Sequence, residues 1–257
     1  MNLNIQNQFF IVCGATAGFG GAIAKRLLTE GALVLGIARS GDNLKKMLQE
    51  YGDNFSFLEG DITSQSTINA LYEEVKDRQI SGIVVNAAGP PLKNTMEVTP
   101  EDWDQAYHQV FRWKAYLTQK FVPLLKDQQY GRMLFIESSS IKQPVDKLVL
   151  STSMRLAVTG YIKTLAAEIA NSGVTLNIMA PGYHETDRVK QIAIDKGAAQ
   201  NVPPEEIIQQ TINSIPVKKI GDPDDFAALA LFLLSPFSKF VTGQIYPVDG
   251  GVIKGTL

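Results

Sequence analysis

Three clusters of residues in this chain have the types and spacing to do chemistry. The first is the turn Gly14-Ala15-Thr16-Ala17-Gly18-Phe19-Gly20, which follows an apolar run and opens an amphipathic one. Bare backbone at a strand-to-helix turn lets an anion come close, and the free N–H groups at the helix start can bind it. The turn therefore reads as a phosphate cradle formed by Gly14, Thr16, Gly18, Phe19 and Gly20. Its spacing, Gly-x-x-x-Gly-x-Gly, differs from the generic dinucleotide fingerprint Gly-x-Gly-x-x-Gly. The second cluster is Ser138-Ser139-Ser140, one residue after an apolar run. The third is Tyr183-His184 within Ala180-Pro181-Gly182-Tyr183-His184-Glu185-Thr186, where a phenol and an imidazole, both able to move protons, stand together.

Side chains this far apart need a scaffold to bring them together. Short apolar runs at Phe9 to Cys13, Leu33 to Ile37, Ser56 to Leu58, Ile83 to Val85, Met133 to Ile136, Val174 to Met179 and Gln244 to Val248 read as strands. Helical periodicity appears between them, in Phe19 to Glu30, Leu44 to Tyr51, Ser66 to Arg78, Glu101 to Lys126, Leu150 to Asn171 and Asp222 to Leu234. Start signals precede several of these, including Thr99-Pro100-Glu101-Asp102 and Asp222-Pro223-Asp224-Asp225. Strands apolar on both faces and separated by helices predict a single doubly wound α/β domain over residues 1–257, its parallel sheet of about seven strands covered by helices on each face. The stretch from Thr186 to Ile215 is longer than an ordinary connection. It is either a substrate lid or specificity segment, or a surface excursion of two helices.

Composition narrows the partners. The chain has 257 residues, 45% hydrophobic and 19% charged, with a net charge of −2. That charge supplies no basic field to gather nucleic acid or an anionic membrane. The apolar stretch from Phe226 to Leu234 is too short to span a bilayer. Cys13 is the only cysteine and lies inside an apolar run, as a small buried side chain in a reducing compartment would. A cytoplasmic protein with a small-molecule substrate and no metal site is expected.

Six matches in order along the chain, through "CGATAGFG", "GDIT", "VNAAG", the Ser138 segment, "NIMAPGYHET" and "VTGQIYPVDGG", resemble the short-chain dehydrogenase/reductase family over nearly the whole length. The resemblance implies a Rossmann-like sheet, a nicotinamide cofactor across the carboxyl ends of the strands, and a homotetramer or homodimer built partly through the two long helices. It places Asp61 and Ile62 at the adenine, Asn86, Ala87, Ala88 and Gly89 along the cofactor, and Pro181, Gly182 and Thr186 at its nicotinamide end. After the second strand, Ala38 offers no carboxylate to a ribose diol, while Arg39, with Ser40, is placed to meet a 2′-phosphate. NADP(H) is thus favoured over NAD(H).

The resemblance also exposes a break. The family uses a Tyr as proton donor, a Lys four residues later that lowers its pKa, a Ser that orients the substrate oxygen and an Asn that anchors a water. Alignment puts Ser138 at the Ser, Leu150 at the Tyr, Met154 at the Lys and Val110 at the Asn, with the Ser138 to Leu150 spacing one residue shorter than usual. Leucine transfers no proton and methionine carries no charge. The three apolar replacements could instead line a pocket for a hydrophobic substrate. Two readings follow. In one, the chain is an oxidoreductase acting on a carbonyl or hydroxyl, with Ser138 polarising the carbonyl, Arg155 reaching the ribose or substrate, and Tyr183 or His184 as the acid. Arg155 is rotated about 100° from Met154 on a helix and could equally be a surface or subunit-interface charge. In the other reading the chain is a catalytically inactive NADP-binding sensor or partner subunit.

Overall fold

The computed structural model describes residues 2–256, apart from the side chains of Arg188 and Ala199. Seven strands, β1 (Phe9–Cys13), β2 (Leu33–Ala38), β3 (Phe55–Glu59), β4 (Gly82–Val85), β5 (Gly131–Ile136), β6 (Val174–Pro181) and β7 (Ile245–Val248), form one sheet in the order β3-β2-β1-β4-β5-β6-β7. Every pairing is parallel. Each predicted strand is present, longer or shorter by a residue or two. Strands buried on both faces must alternate their side chains between two cores. Ile11, Cys13, Ile83 and Val85 accordingly enter one core cluster, while Phe10, Val12, Val84 and Leu134 enter the other.

Helices complete each core. On one face α1 (Gly18–Thr29) packs on α9 (Pro223–Leu234), with Ile23, Leu27, Phe226 and Leu231 buried between them and the sheet. On the other lie α3 (Gln65–Val75), α5 (Trp113–Asp127) and α6 (Val149–Glu168), contributing Leu71, Leu117, Phe121, Val158 and Ile162. The start signals act as caps: Thr99 and Asp102 form a capping box for α4 (Pro100–Ala106), and Asp222 Oδ1 accepts from the Asp224 N–H at 2.8 Å ahead of α9. No helix among the described residues is long and apolar enough to cross a membrane.

Two departures from expectation matter for the site. The helix read as continuous from Glu101 to Lys126 is interrupted by a π-helical stretch, Tyr107–Arg112, that joins α4 to α5 and contains Val110. The long connection after β6 is a pair of helices, α7 (Asp187–Gln200) and α8 (Pro204–Ser214), with Thr186 capping the first through its side chain. The remaining helix, α2 (Gly41–Tyr51), follows β2 and starts beside Ser40.

The sheet reverses its winding at β1. From there β2 and β3 extend to one side and β4 to β7 to the other, so a crevice opens beyond the carboxyl ends of β1 and β4, where open α/β sheets bind ligands.

Candidate active site

The crevice holds a cleft of about 710 Å³. Gly14, Thr16, Gly18, Phe19, Arg39 and Ser40 line it, with Asp61, Ile62, Asn86 to Gly89 and Thr186. Gly14 has φ +69° and lies against Asn86, where an added Cβ would stand 2.8 Å from Nδ2. Gly18, at φ +53°, starts α1, whose first N–H groups receive no side-chain cap. Gly20 does not line the cleft. It packs behind the turn, where a Cβ would collide with the carbonyl of Gly14. Uncapped N–H groups at the mouth of a helix and backbone bare of side chains fit a pyrophosphate. Asp61 Oδ1 accepts hydrogen bonds from the N–H and hydroxyl of Thr63 at 2.9 and 2.8 Å, which fixes the carboxylate at the cleft edge. Arg39 and Ser40 are exposed there. Burial pushes the Cys13 thiol up to about 12, so it stays protonated and inert behind the turn.

A second, smaller cavity of about 260 Å³ adjoins the first, and Phe19, Gly89, Glu137, Arg155 and Thr186 line both. Ser138, Ser139, Leu148 and Ser151 form one wall of it, Pro181, Gly182, Tyr183 and His184 another, and Val189 and Ile192 of α7 lie across it with Val252 and Ile253. The structure therefore brings Ser138, Arg155, Tyr183 and His184 to one cavity. Pro181 and Gly182 face this cavity rather than the larger one.

Of the two possibilities for Arg155, a surface charge is the wrong one. The residue is only 8% exposed and its guanidinium is held from three sides. Nε donates to Ser151 Oγ at 3.0 Å, and Nη1 donates to the Ile136 carbonyl at 3.2 Å and to Glu137 Oε2 at 2.9 Å. The other carboxylate oxygen, Oε1, accepts from Lys114 Nζ at 2.5 Å. Lys114, Glu137 and Arg155 thus form a buried chain of charges running from α5 beneath the end of β5 to the boundary of the two cavities. Burial drives the Lys114 ammonium down to about 8, against the opposing pull of Glu137.

The pocket expected from the apolar replacements is also corrected. Leu150 and Val110 are 1% exposed and belong to the core, with Met154 packed against it, and none of the three lines either cavity. The face of α6 turned to the cavities carries Ser151 and Arg155, one residue round the helix from Leu150 and Met154, with Leu148 just ahead of the helix. Ser151 lies thirteen residues beyond Ser138, which removes the shortened spacing. A hydrogen-bonded Ser-x-x-x-Arg pair, and not Leu150 and Met154, faces the smaller cavity. Tyr116 and Lys120, which do have the Tyr-x-x-x-Lys spacing, sit on α5 facing α3, with the phenol donating to Asn69, and line neither cavity.

Tyr183 and His184 occupy different environments. Tyr183 is half-buried on the cavity wall. His184 is 3% exposed, its ring packed edge-on against the touching pair Phe19 and Phe226, with Nε2 against Gly221 and Nδ1 3.3 Å from the Gly182 carbonyl. Burial holds its pKa below the ordinary histidine value. Ser138 Oγ accepts from the Ser140 N–H at 3.2 Å, leaving its own proton to donate.

Lys114, Glu137 and Ser151 escape sequence reading as site residues. Their signal is faint but present. Lys114 falls on the apolar stripe Val110, Trp113, Leu117, Phe121, and Glu137 directly follows a wholly buried strand.

A family model described as enoyl-(acyl carrier protein) reductase matches residues 14–253. The 3-oxoacyl-[acyl-carrier-protein] reductase FabG of Vibrio harveyi is 27% identical over 252 residues, spanning 97% of this chain and 99% of that one. The FabG of Aquifex aeolicus is 29% identical over 260 residues, spanning 98% and 100%. Among solved structures, an actinorhodin polyketide ketoreductase crystallised with NADPH superposes with a TM-score of 0.90 at 27% identity, covering 97% of this chain and 98% of its own. YwfH, described as an NADPH-dependent reductase of bacilysin biosynthesis, superposes at 0.92 with 23% identity, covering 97% and 100%, a likeness of fold.

Proposed function

We propose, since the chain belongs to the short-chain dehydrogenase/reductase family through its match to the enoyl-(acyl carrier protein) reductase model, that it is an NADP(H)-dependent reductase of a small carbonyl compound, from a branch that has replaced the Tyr-x-x-x-Lys pair. The observation that carries this reading is Arg155, a buried cation held by Glu137 and Ser151 at the boundary of the two cavities. A scaffold that had lost its chemistry would have no use for a charge fixed at that point.

The larger cleft would hold the cofactor, with the pyrophosphate on the N–H groups from Gly18 onward and the 2′-phosphate at Arg39 and Ser40. Asp61 and Ile62 would face adenine, with Asn86, Ala87, Ala88 and Gly89 along the opposite wall. The named ligands of the relatives support the choice, one being a ketoreductase solved with NADPH. When bound, NADPH supplies the hydride to the carbonyl carbon. The residues of this chain manage the oxygen. Ser138 and Ser151 each accept a hydrogen bond internally and so present their own O–H to it. Arg155 stabilises the negative charge that develops there, the largest single contribution in most such reactions. Tyr183 donates the proton to the alkoxide and recovers it from water. His184, packed edge-on against two aromatic rings, shapes this wall and is not the donor. Thr186 and the lid helix α7 close the cavity over the substrate. Association into a homodimer or homotetramer belongs to the same reading, supported by Tyr107 and Leu156, 42% and 46% exposed on the faces of the long helices.

The inactive alternative is favoured by one observation, that the cavity-facing position of α6 carries Ser151 rather than a phenol. Following NADPH oxidation at 340 nm with a panel of ketones, quinones and β-ketoacyl thioesters, alongside titration of cofactor binding, separates the two. Cofactor binding without turnover of any of them would leave the inactive reading.

A further inference from the structure

The wall between the two cavities has an unusual hydrogen-bond balance. Both oxygens of Glu137 are taken, one by Lys114 and one by Arg155. Ser138 and Ser151 already accept, the first from the Ser140 N–H and the second from Arg155 Nε, so each has its O–H left to give. The Nε and Nη1 donors of Arg155 are spent, and its Nη2, which no side chain or carbonyl among the described residues engages, stands 3.2 Å from the position a Cβ on Gly89 would take. Each serine oxygen keeps a second lone pair, but what this wall chiefly offers is donors, two hydroxyls and the N–H groups of a cation. Its charge is unbalanced in the same sense. Two cations, Lys114 and Arg155, share one carboxylate in a place where none of the three is more than 8% exposed. A buried excess of positive charge is costly, and an anion placed beside it offsets that cost. The remainder of the smaller cavity is mostly apolar, with Val145, Leu148, Val189 and Ile192 in its lining beside Ser139, Gln143 and Tyr183.

We infer that this donor wall is a carboxylate site, and that the reductase proposed above acts on a small 2-oxo acid. In such a molecule the carbonyl oxygen and a carboxylate oxygen lie side by side on adjacent carbons, so Arg155 Nη2 and the hydroxyls of Ser138 and Ser151 can hold both at once. Its apolar remainder enters the space between Leu148 and Ile192. The volume of about 260 Å³ is below the 300–1,000 Å³ of drug-sized sites, as a compact acid requires. The inference rests on the smaller cavity being the substrate site. Lys114 lines neither cavity and acts at one remove: it holds Glu137 in place and supplies the charge that Glu137 would otherwise cancel.

Calorimetric titration of the full chain in the presence of NADP⁺ tests this without requiring turnover. The probes are 2-oxoisocaproate and its methyl ester, which keeps both carbonyl oxygens and loses the charge. The acid should bind at least about tenfold more tightly than the ester, the scale of one charge-assisted hydrogen bond. Arg155→Met should abolish that preference and Arg155→Lys should keep part of it. Lys114→Met should reduce the preference while leaving ester binding within about twofold, which a merely structural role for Lys114 would not do. Equal binding of acid and ester to the unaltered protein, or an unchanged preference in Arg155→Met, overturns the inference. If the acid preference depends on Arg155 but NADPH is never oxidised, the carboxylate site stands and the reductase reading falls.

Discussion

Replacing Glu137 with Gln keeps the shape of the side chain and removes the carboxylate on which two buried cations depend. The Lys114 and Arg155 side chains, 3% and 10% exposed, would be left without an ion-pair partner among the described residues. Breaking a buried pair in this way costs about 3–5 kcal/mol. The two cations do not share that cost equally. Lys114 can release its proton, and its pKa is already about 8 against an ordinary 10.5. At pH 7 its further loss is limited to the free energy of about one pH unit, roughly 1 kcal/mol. Arg155 cannot deprotonate, so most of the loss falls on it, moderated by its surviving bonds to Ser151 Oγ and the Ile136 carbonyl. The expected destabilisation lies near the lower end of the range, about 3 kcal/mol, or a fall in Tm of roughly 6–12 °C for a chain of this size. Urea unfolding at pH 7 without cofactor measures it. The double variant Lys114→Met/Glu137→Gln should recover about 1 kcal/mol, the share of the lysine. The pH dependence has a definite sign. In Glu137→Gln the folded state sheds the Lys114 proton at lower pH than the unaltered protein does, while the unfolded chain keeps it up to 10.5. Stability of the variant therefore rises with pH, and the lysine share of its deficit disappears between pH 7 and about 8. A loss under about 1 kcal/mol for the single variant, or a double variant less stable than the single, would refute the reasoning.

Arg39→Ala should weaken NADPH binding much more than NADH binding in a fluorescence titration, and equal weakening would remove the 2′-phosphate contact. Gly20→Ala should destabilise the fold by about 1–3 kcal/mol and weaken the cofactor more than tenfold, because the new methyl meets the Gly14 and Cys13 carbonyls and Asn86 at the cradle itself. Tyr183→Phe should lower kcat by about 10²–10⁴ with an active substrate, the usual scale for a lost general acid, while leaving cofactor binding intact; an unaltered kcat would exclude the phenol as donor. His184 is held neutral by burial, so its contribution to stability is full above about pH 6.5 and is lost as pH falls toward its lower folded pKa. His184→Leu should flatten that acid decline in a thermal melt series.

The fold was legible because its signals are local. Runs such as Phe9 to Cys13 and Ile83 to Val85 are apolar on both faces, which only a strand covered on both sides requires, and the glycine turn declared its geometry through residue type. The larger cleft was legible for the same reason, since backbone and helix ends build it. The substrate side was less legible because its chemistry depends on rotation. Leu150 and Ser151 are neighbours in sequence, and a one-residue difference in alignment exchanges a core residue for a cavity residue. Arg155 could be noticed but not located, since its partner Glu137 lies on another element. Lys114 was invisible for a stronger reason: a lysine on a helix normally reaches for water, and only the carboxylate under β5 makes its burial tolerable.

The wide turn between α4 and α5 makes these helices one rod in space but two in phase. A π-helical stretch accommodates an additional residue without breaking the rod, so α5 emerges from Tyr107–Arg112 counted differently from α4. Shortening the chain by one residue there would let the rod return to regular α-helix with both halves keeping their faces, so Lys114 would stay against the sheet. A residue lost from the regular helix between this stretch and Lys114 has no widened turn to absorb it, and would swing the lysine about 100° away. The widened turn is then the place where this rod can change length and still keep a cation beneath β5.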